Sequence, residues 1–211
     1  MLSAKKQRGM SLVELTIASA ISLIAIGAVG SVYISGHKAA YGRTQQLVLR
    51  QEVNDALRVV TEEMARAGYS TREKSIKLSG ASNVVGIHRS GNAVDFVYAK
   101  TSTAWRTMGF SLKPRSAGVN AWLKICLLNE TPGATSGSAS TLEDFCYSQS
   151  GGSDSLLNKD IIEVNSFTVS EEVISSANGT SQKLTVYLKA TMPSISESYE
   201  KEKSIVLRNW R

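Results

Sequence analysis

Residues 5–34 read KKQRGMSLVELTIASAISLIAIGAVGSVYI, and this stretch decides how the rest of the chain is organised. Three basic residues precede Gly9, and the run from Met10 to Ile34 then carries Glu14 as its only charge. A secretory signal has its apolar core before the cleavage point, whereas here the apolar run follows the glycine. A cut after Gly9 would therefore remove a leader, residues 1–9, and leave the apolar segment on the chain.

The apolar run has the length of a membrane-spanning helix. At 1.5 Å per residue it covers roughly 37 Å, which is enough to cross a bilayer with some tilt. A buried core helix rarely runs so long without a polar face, and an uncleaved signal anchor would need no carboxylate near its start. Basic residues are denser before the run than after it, where Lys38 and Arg43 follow. This bias predicts a cytosolic N-terminus and a head on the outer side.

Glu14 is an ionisable side chain inside a spanning segment, where it costs on the order of a few kcal/mol and usually has a partner. Cleavage after Gly9 would give Met10 a free α-amine four residues before Glu14, on the same helix face. The carboxylate would then either neutralise its own terminus, offsetting a positive charge at a helix N-terminus, or pair with the amine of a neighbouring subunit. The remaining interpretation is a carboxylate that reaches the lipid headgroups.

Gly9, a hydrophobic residue and then Ser11-Leu12-Val13-Glu14-Leu15 together resemble the class III signal of type IV prepilins and type II secretion pseudopilins. The resemblance implies cleavage between Gly9 and Met10 by a membrane-embedded aspartic prepilin peptidase and N-methylation of Met10. It also implies a filament core of packed helices in which Glu14 meets the amine of an adjacent subunit. Two features depart from the family pattern: Met10 stands where phenylalanine is usual, and the helix lacks the proline that kinks many major pilins.

Beyond the apolar run, the helical pattern continues as an amphipathic stripe with apolar residues at spacings of three and four. The stripe consists of Leu49, Val53, Leu57, Val60, Met64 and Ala67. Gly68 then predicts the end of the helix, which would be about 87 Å long if continuous from Met10. The expected organisation is a cleaved leader, a transmembrane and filament-core helix, the amphipathic half of the same helix, and a globular head. These parts are residues 1–9, 10–35, 36–69 and 70–211.

Short β-rich runs separated by Gly, Ser, Asn and Pro follow Ser70 and predict an antiparallel sheet. They are residues 83–88, 93–98, 108–113, 121–128, 161–175, 183–191 and 204–210. Leu184, Val186 and Leu188 alternate with polar residues, which is the period of a strand with one buried face. Residues 131–155 are rich in Ser, Gly and Thr and are expected to form an exposed loop interrupted by 142–146. The predicted fold class is α+β and type IV pilin-like, a long N-terminal helix packed against a β-sheet head.

Cys126 and Cys146 both lie on the expected outer side of the membrane, where disulfides form and persist. A bond between them would close a loop of about 21 residues, contribute roughly 3 kcal/mol, and pin the Ser/Gly-rich segment to the neighbouring strand. Two thiols without a nearby histidine fall short of the four ligands of a structural metal site. The two histidines, His37 and His88, are expected to be surface or interfacial side chains.

A catalytic role finds little support in the sequence. A hydrolytic triad can be drawn on paper from Ser90, His88 and Asp95, but His88 and Asp95 lie in separate β-like runs and no Gly-x-Ser-x-Gly spacing frames the serine. The sequence also lacks the glycine-rich motifs that bind phosphates and dinucleotides. We therefore expect a protein that is not an enzyme and has no cofactor.

The charge balance is less basic than it first looks. The chain carries 24 Lys and Arg against 18 Asp and Glu, a formal +6, and removal of three leader cations leaves 21 against 18, or +3. A weak pattern for stacking on single-stranded DNA places aromatics among cations. Its members are Tyr98, Lys100, Trp105, Arg106, Lys113 and Arg115. An ordinary solvated surface with core aromatics is the preferred interpretation, so DNA is a weakly supported partner.

Two further segments narrow the resemblance. The ending Leu207-Arg208-Asn209-Trp210-Arg211 and the helix end 63–69 are similar to those of PilW-like minor pilins. This implies a structural role in a complex that initiates or caps a type IV pilus. The implied partners are prepilin peptidase, other minor and major pilins, the inner membrane and the pilus assembly platform. The head would be periplasmic before assembly and lie in the pilus, at its tip, afterwards. A J-type pseudopilin of a type II secretion system is the near alternative. A membrane-tethered tip adhesin or DNA receptor is an alternative of another class.

Overall fold

The computed structural model describes residues 11–71, 75–116, 118–130, 138–142, 145–148, 154–176 and 179–207. The expected leader with Gly9, together with Met10 and residues 208–211 of the ending, lies outside this part of the chain. Contacts divide the chain into two compact units, Met1–Gln45 and Gln46–Arg211.

A helix of 53 residues, α1, extends over Leu12–Met64. In the second unit its amphipathic stripe is buried, as the spacing predicts. The buried residues are Leu49, Val53, Ala56, Leu57, Val60, Thr61 and Met64. Gly68 follows the helix with φ of 72°, a backbone conformation that favours glycine, and its N–H donates to Val97 O at 2.9 Å. The predicted helix terminator thus lies where the chain turns into the head.

Within the described residues, ten strands and one four-residue helix follow α1. In chain order they are β1 (Lys77–Ser79), β2 (Val85–His88), β3 (Ala93–Thr101), β4 (Ala104–Lys113), β5 (Trp122–Glu130), β6 (Ser138–Leu142), α2 (Phe145–Ser148), β7 (Asp154–Ser155), β8 (Glu163–Ser176), β9 (Gly179–Met192) and β10 (Glu197–Val206). The strands form a five-stranded antiparallel sheet in the order β2-β3-β4-β5-β7 and a three-stranded antiparallel sheet in the order β10-β9-β8. β1 and β6 pair in parallel.

One hydrophobic core joins the stripe of α1 to both antiparallel sheets. Phe96 and Phe110 come from the five-stranded sheet and Phe167 comes from β8, and all three are fully buried. Burying such a side chain contributes on the order of 1.5–3 kcal/mol. On β9 the predicted alternation of buried and partly exposed residues is present from 184 to 188. The fold is therefore α+β and type IV pilin-like, as predicted.

The last strand begins earlier than the sequence predicts. A strand was expected at 204–210, whereas β10 occupies Glu197–Val206. Most of its residues are exposed, and charges alternate in sign through Glu200, Lys201, Glu202 and Lys203. Tyr199 and Ile205 are partly buried against the core, but the strand has no continuous apolar face that would mark it. It also makes polar contacts: Tyr187 Oη donates to Glu200 at 2.9 Å and Lys201 Nζ donates to Asn54 Oδ1 at 2.8 Å.

Within 131–155, where the sequence predicts an exposed loop interrupted by 142–146, the structure describes β6, α2 and β7. α2 begins inside the predicted interruption and its Cys146 is 1% exposed, whereas the strands β6 and β7 contradict the prediction of a loop. The serine- and glycine-rich sequence gives no sign of these strands. α2 has no apolar pattern of its own, and its contacts with the five-stranded sheet stabilise it instead.

Gly109 of β4 makes room for α2. A methyl group at this position would lie 2.6 Å from Cβ of Cys146 and 3.0 Å from Val94 O. We expect Gly109→Ala to displace α2 and to lower the free energy of unfolding by about 1–3 kcal/mol, measured by denaturant unfolding of the full chain in detergent micelles. The control is Gly42→Ala in α1, where nothing lies within 4 Å of the added methyl. Equal stability of the two variants would contradict the packing of α2 on Gly109.

Candidate functional site

The first unit presents an apolar helix surface. Its large apolar side chains up to residue 34 are each more than half exposed. They are Leu12, Val13, Leu15, Ile17, Ile21, Leu23, Ile24, Ile26, Val29, Val32, Tyr33 and Ile34. α1 is long and apolar enough to cross a membrane. Transfer of each such side chain from water into lipid or against another helix recovers on the order of 1.5–3 kcal/mol, so this surface suits a membrane anchor.

Hydroxyl groups in the apolar segment have partners inside the helix. Four of them donate to the carbonyl three or four residues earlier, at 2.8–2.9 Å: Thr16 to Val13, Ser19 to Thr16, Ser22 to Ala18 and Ser31 to Ala28. A polar group without a partner is expensive in a bilayer because no water is present to satisfy it. These four side chains therefore need neither lipid headgroups nor a neighbouring chain as hydrogen-bond partners.

Glu14 caps the start of its own helix. The Ser11 N–H donates to Glu14 Oε2 at 2.9 Å. This bond is half of a capping box, in which a glutamate three residues into the helix returns to the backbone of the N-cap serine. The interpretations of the sequence considered only the charge of Glu14 and missed this capping role. The Ser-x-x-Glu spacing of Ser11 and Glu14 indicates it. Since Met10 lies outside the described residues, pairing of Glu14 with an α-amine stays a prediction.

Cys126 of β5 and Cys146 of α2, which were predicted to pair, are joined by a disulfide with their Cα atoms 5.4 Å apart. Two lysines hold the carbonyls next to it. Lys124 Nζ donates to Cys146 O at 3.0 Å and Lys113 Nζ donates to Tyr147 O at 2.7 Å. α2 is thus attached to the sheet by one covalent bond and by two cationic donors.

Lys124 is an unusual residue for this position because its side chain is 1% exposed. Burial, and then the charge of nearby Lys113, lowers the pKa of Lys124. Sequence reasoning did not single it out, although a lysine inside the apolar run 122–128 was a visible signal. Its hydrogen bond to Cys146 O provides this buried ammonium with an acceptor and helps to hold α2 against the sheet.

The structure brings together two of the three residues drawn as a paper triad. His88 Nε2 lies 2.9 Å from Asp95 Oδ1, because the hairpin of β2 and β3 places their separate runs side by side. Gly86 leaves the space for this pair, since a methyl group there would lie 2.7 Å from His88 Nε2. Ser90 follows in a 3₁₀ turn with φ of 54° and, within the described residues, makes no hydrogen bond with His88. The geometry is that of a hydrogen-bonded histidine and carboxylate, which Ser90 does not extend into a triad.

Other candidate ligands are separated. In the part of the chain that the structure describes, no group of three or more His, Cys, Asp or Glu residues is arranged to hold a metal ion. His37 lies in α1 with its ring 6.3 Å from that of Tyr33. The aromatics of the weak DNA-stacking pattern are core residues, with Tyr98 5% and Trp105 4% exposed. Arg115, a cation of the same pattern, pairs with Glu163 at 3.4 Å.

Two family models match the chain. Residues 42–206 match the family described as prepilin peptidase-dependent protein B, and residues 4–30 match the prokaryotic N-terminal methylation motif. Comparison with curated proteins and with solved structures gives no significant match. The first model covers most of the second unit, and the second covers the basic leader and the apolar start of α1.

Proposed function

The chain belongs to the prepilin peptidase-dependent protein B family and is a type IV prepilin-like protein that depends on prepilin peptidase, and from this premise we propose that it is a structural minor pilin. It would help to initiate or cap a type IV pilus. Its leader would be cleaved after Gly9, Met10 would be N-methylated, and Glu14 would direct docking through the N-terminal helix.

The apolar surface of the first unit is the main support for this proposal. Twelve large apolar side chains stand exposed along one helix, and nine of them, from Leu12 to Val29, lie inside the matched N-terminal methylation motif. In the membrane, lipid covers this surface. In a filament, the helices of neighbouring subunits would cover it instead, at little change in buried apolar area. Because the four serine and threonine hydroxyls already bond within the helix, moving from lipid to protein breaks none of their hydrogen bonds.

The membrane-anchored form would be a single-pass inner-membrane protein with its head in the periplasm. The assembled form would lie in the pilus, at its tip. Other minor and major pilins and the assembly platform would be its partners.

Deletion of the gene tests the proposal. We expect surface pili, counted by electron microscopy and by the pilin recovered after shearing, to fall roughly tenfold or more, with protein secretion unchanged. Expression of the full chain from a plasmid should restore them. Loss of secretion with normal piliation would assign the protein to a type II secretion pseudopilus. Normal piliation and secretion together with lost adhesion or DNA uptake would favour a tethered receptor.

A further inference from the structure

A cavity of about 470 Å³ lies where the end of α1 meets the five-stranded sheet. Its walls include Arg66 just after the helix, Tyr69 in the following turn, and Tyr98 and Lys100 of β3 with Arg106 of β4. Tyr98 and Arg106 are direct neighbours across the two strands. All five residues belong to the second unit. We call this space the cationic cavity.

The charges around the cationic cavity do not balance. Glu63 accepts a hydrogen bond from Tyr98 Oη at 2.8 Å and pairs with Arg66 at 3.1 Å, so its carboxylate is already engaged. Neither Lys100 nor Arg106 forms an ion pair with a carboxylate of the described residues. Burial of Tyr98, and then its bond to Glu63, raises the pKa of the phenol against the opposing effect of nearby Arg106, so the phenol stays a neutral donor. Two positive charges are therefore left over.

Arg106 also has a donor without an acceptor. Its Nε atom is buried and makes no hydrogen bond. Buried polar groups nearly always have partners, and leaving one unsatisfied costs on the order of 1–3 kcal/mol. That Nε atom has no accessible surface, so a ligand in the cavity would meet the other donors of the Arg106 guanidinium, whose planar fork matches the two oxygens of a carboxylate.

The walls restrict what the ligand can be. The side chain of Tyr69 is 48% exposed and provides an aromatic wall, and Ala65 and Ala99 complete the lining. The volume is of the size that holds a few side chains. We propose that the cationic cavity binds a carboxylate on an acidic segment of a partner protein, with Arg106 as the main ligand and Lys100 as the second.

A nucleic acid fits the same cavity less well. Single-stranded DNA needs a track of successive cations with exposed aromatic faces. Here Tyr98 is buried, and the next cations along the sequence, Lys113 and Arg115, bind Tyr147 O and Glu163. The engaged carboxylate of Glu63 beside the cavity would also repel a second phosphate. One carboxylate, held at one point, suits the arrangement better.

The test uses the full chain in detergent micelles and a blocked six-residue peptide of alternating Asp and Leu. The readout is the backbone amide NMR signals of Tyr69, Lys100 and Arg106, which should shift saturably when the peptide occupies the cavity. The same peptide with Asn in place of Asp should give no shift. Inorganic phosphate and a ten-nucleotide oligo-deoxythymidine are tested as competitors. If either one displaces the peptide when its concentration is below that of the peptide, the assignment to a carboxylate is overturned.

Variants locate the site. We expect Arg106→Gln to weaken peptide binding roughly tenfold or more and Lys100→Gln severalfold, because each removes a donor to the carboxylate. Arg115→Gln is the matched control, since this cation lies outside the cavity and already pairs with Glu163. Lys100 is exposed, so its variant decides the matter even if Arg106→Gln fails to fold. Equal affinity of Lys100→Gln and Arg115→Gln, or no saturable shift at all, would overturn the proposal.

Discussion

Glu14→Ala is expected to reduce incorporation of the chain into pili by roughly tenfold or more. A buried carboxylate paired with an amine is worth several kcal/mol when one partner is removed, and about 1.4 kcal/mol already corresponds to a factor of ten. The measurement is the amount of chain in the sheared pilus fraction relative to whole cells. Mass spectrometry of the mature N-terminus should show N-methylated Met10 in both forms, so that lost incorporation is not lost cleavage. An unprocessed Met1 in the wild type would contradict the processing step itself.

Glu14→Gln separates the two roles that the structure and the proposal give this residue. The amide oxygen can still accept from the Ser11 N–H, so the cap seen at 2.9 Å is retained, but the negative charge is gone. We expect Glu14→Gln to be as defective as Glu14→Ala. The matched control is Asp55→Asn, an exposed carboxylate on the same helix that pairs with Arg58. Normal incorporation of Glu14→Gln would show that the cap, and not the charge, is what assembly requires.

Replacing both Cys126 and Cys146 by serine is expected to lower the free energy of unfolding by about 3 kcal/mol, or Tm by roughly 6–12 °C. The disulfide closes a loop with a sequence separation of 20 residues, and its loss frees that loop in the unfolded chain. The folded state also loses the tie that holds α2 near Lys124, whose buried ammonium donates to Cys146 O. Thermal unfolding of the full chain in micelles gives the shift.

A reductant provides the internal control for the disulfide prediction. It should lower Tm of the wild type by a similar amount and leave the double serine variant unchanged. If the variant and the wild type unfold at the same temperature, α2 is held by Lys113 and Lys124 alone and the disulfide adds nothing measurable.

The fold follows from the sequence wherever one strong physical signal dominates. Length and lack of charge predict the apolar helix, spacings of three and four predict its buried stripe, and Gly68 predicts its end. The alternation at 184–188 predicts a half-buried strand. In each case the pattern of apolar residues arises because one side of the element faces lipid or the protein core.

The parts that escaped prediction depend on contacts between distant residues. α2 is held by Cys126, Lys113 and Lys124 from the sheet, so its own four residues carry little signal. The pair of His88 and Asp95 forms only because a hairpin aligns two runs. The cationic cavity needs Arg66 and Arg106, 40 positions apart, to line the same space. Glu14 is different, because its capping pattern was visible in the four residues from Ser11.

β10 has a further consequence for a protein whose head would lie against the heads of other pilins. This strand lies at the edge of its sheet and pairs, among the described strands, with β9 alone. A bare edge invites a strand from another molecule, which is how sheets fuse into aggregates. The alternating Glu200 to Lys203 segment places charges along that edge. A strand without complementary charges that paired with this edge would remove water from these side chains. Neighbouring heads would therefore remain separate and contact one another through specific sites, without pairing their β-strands.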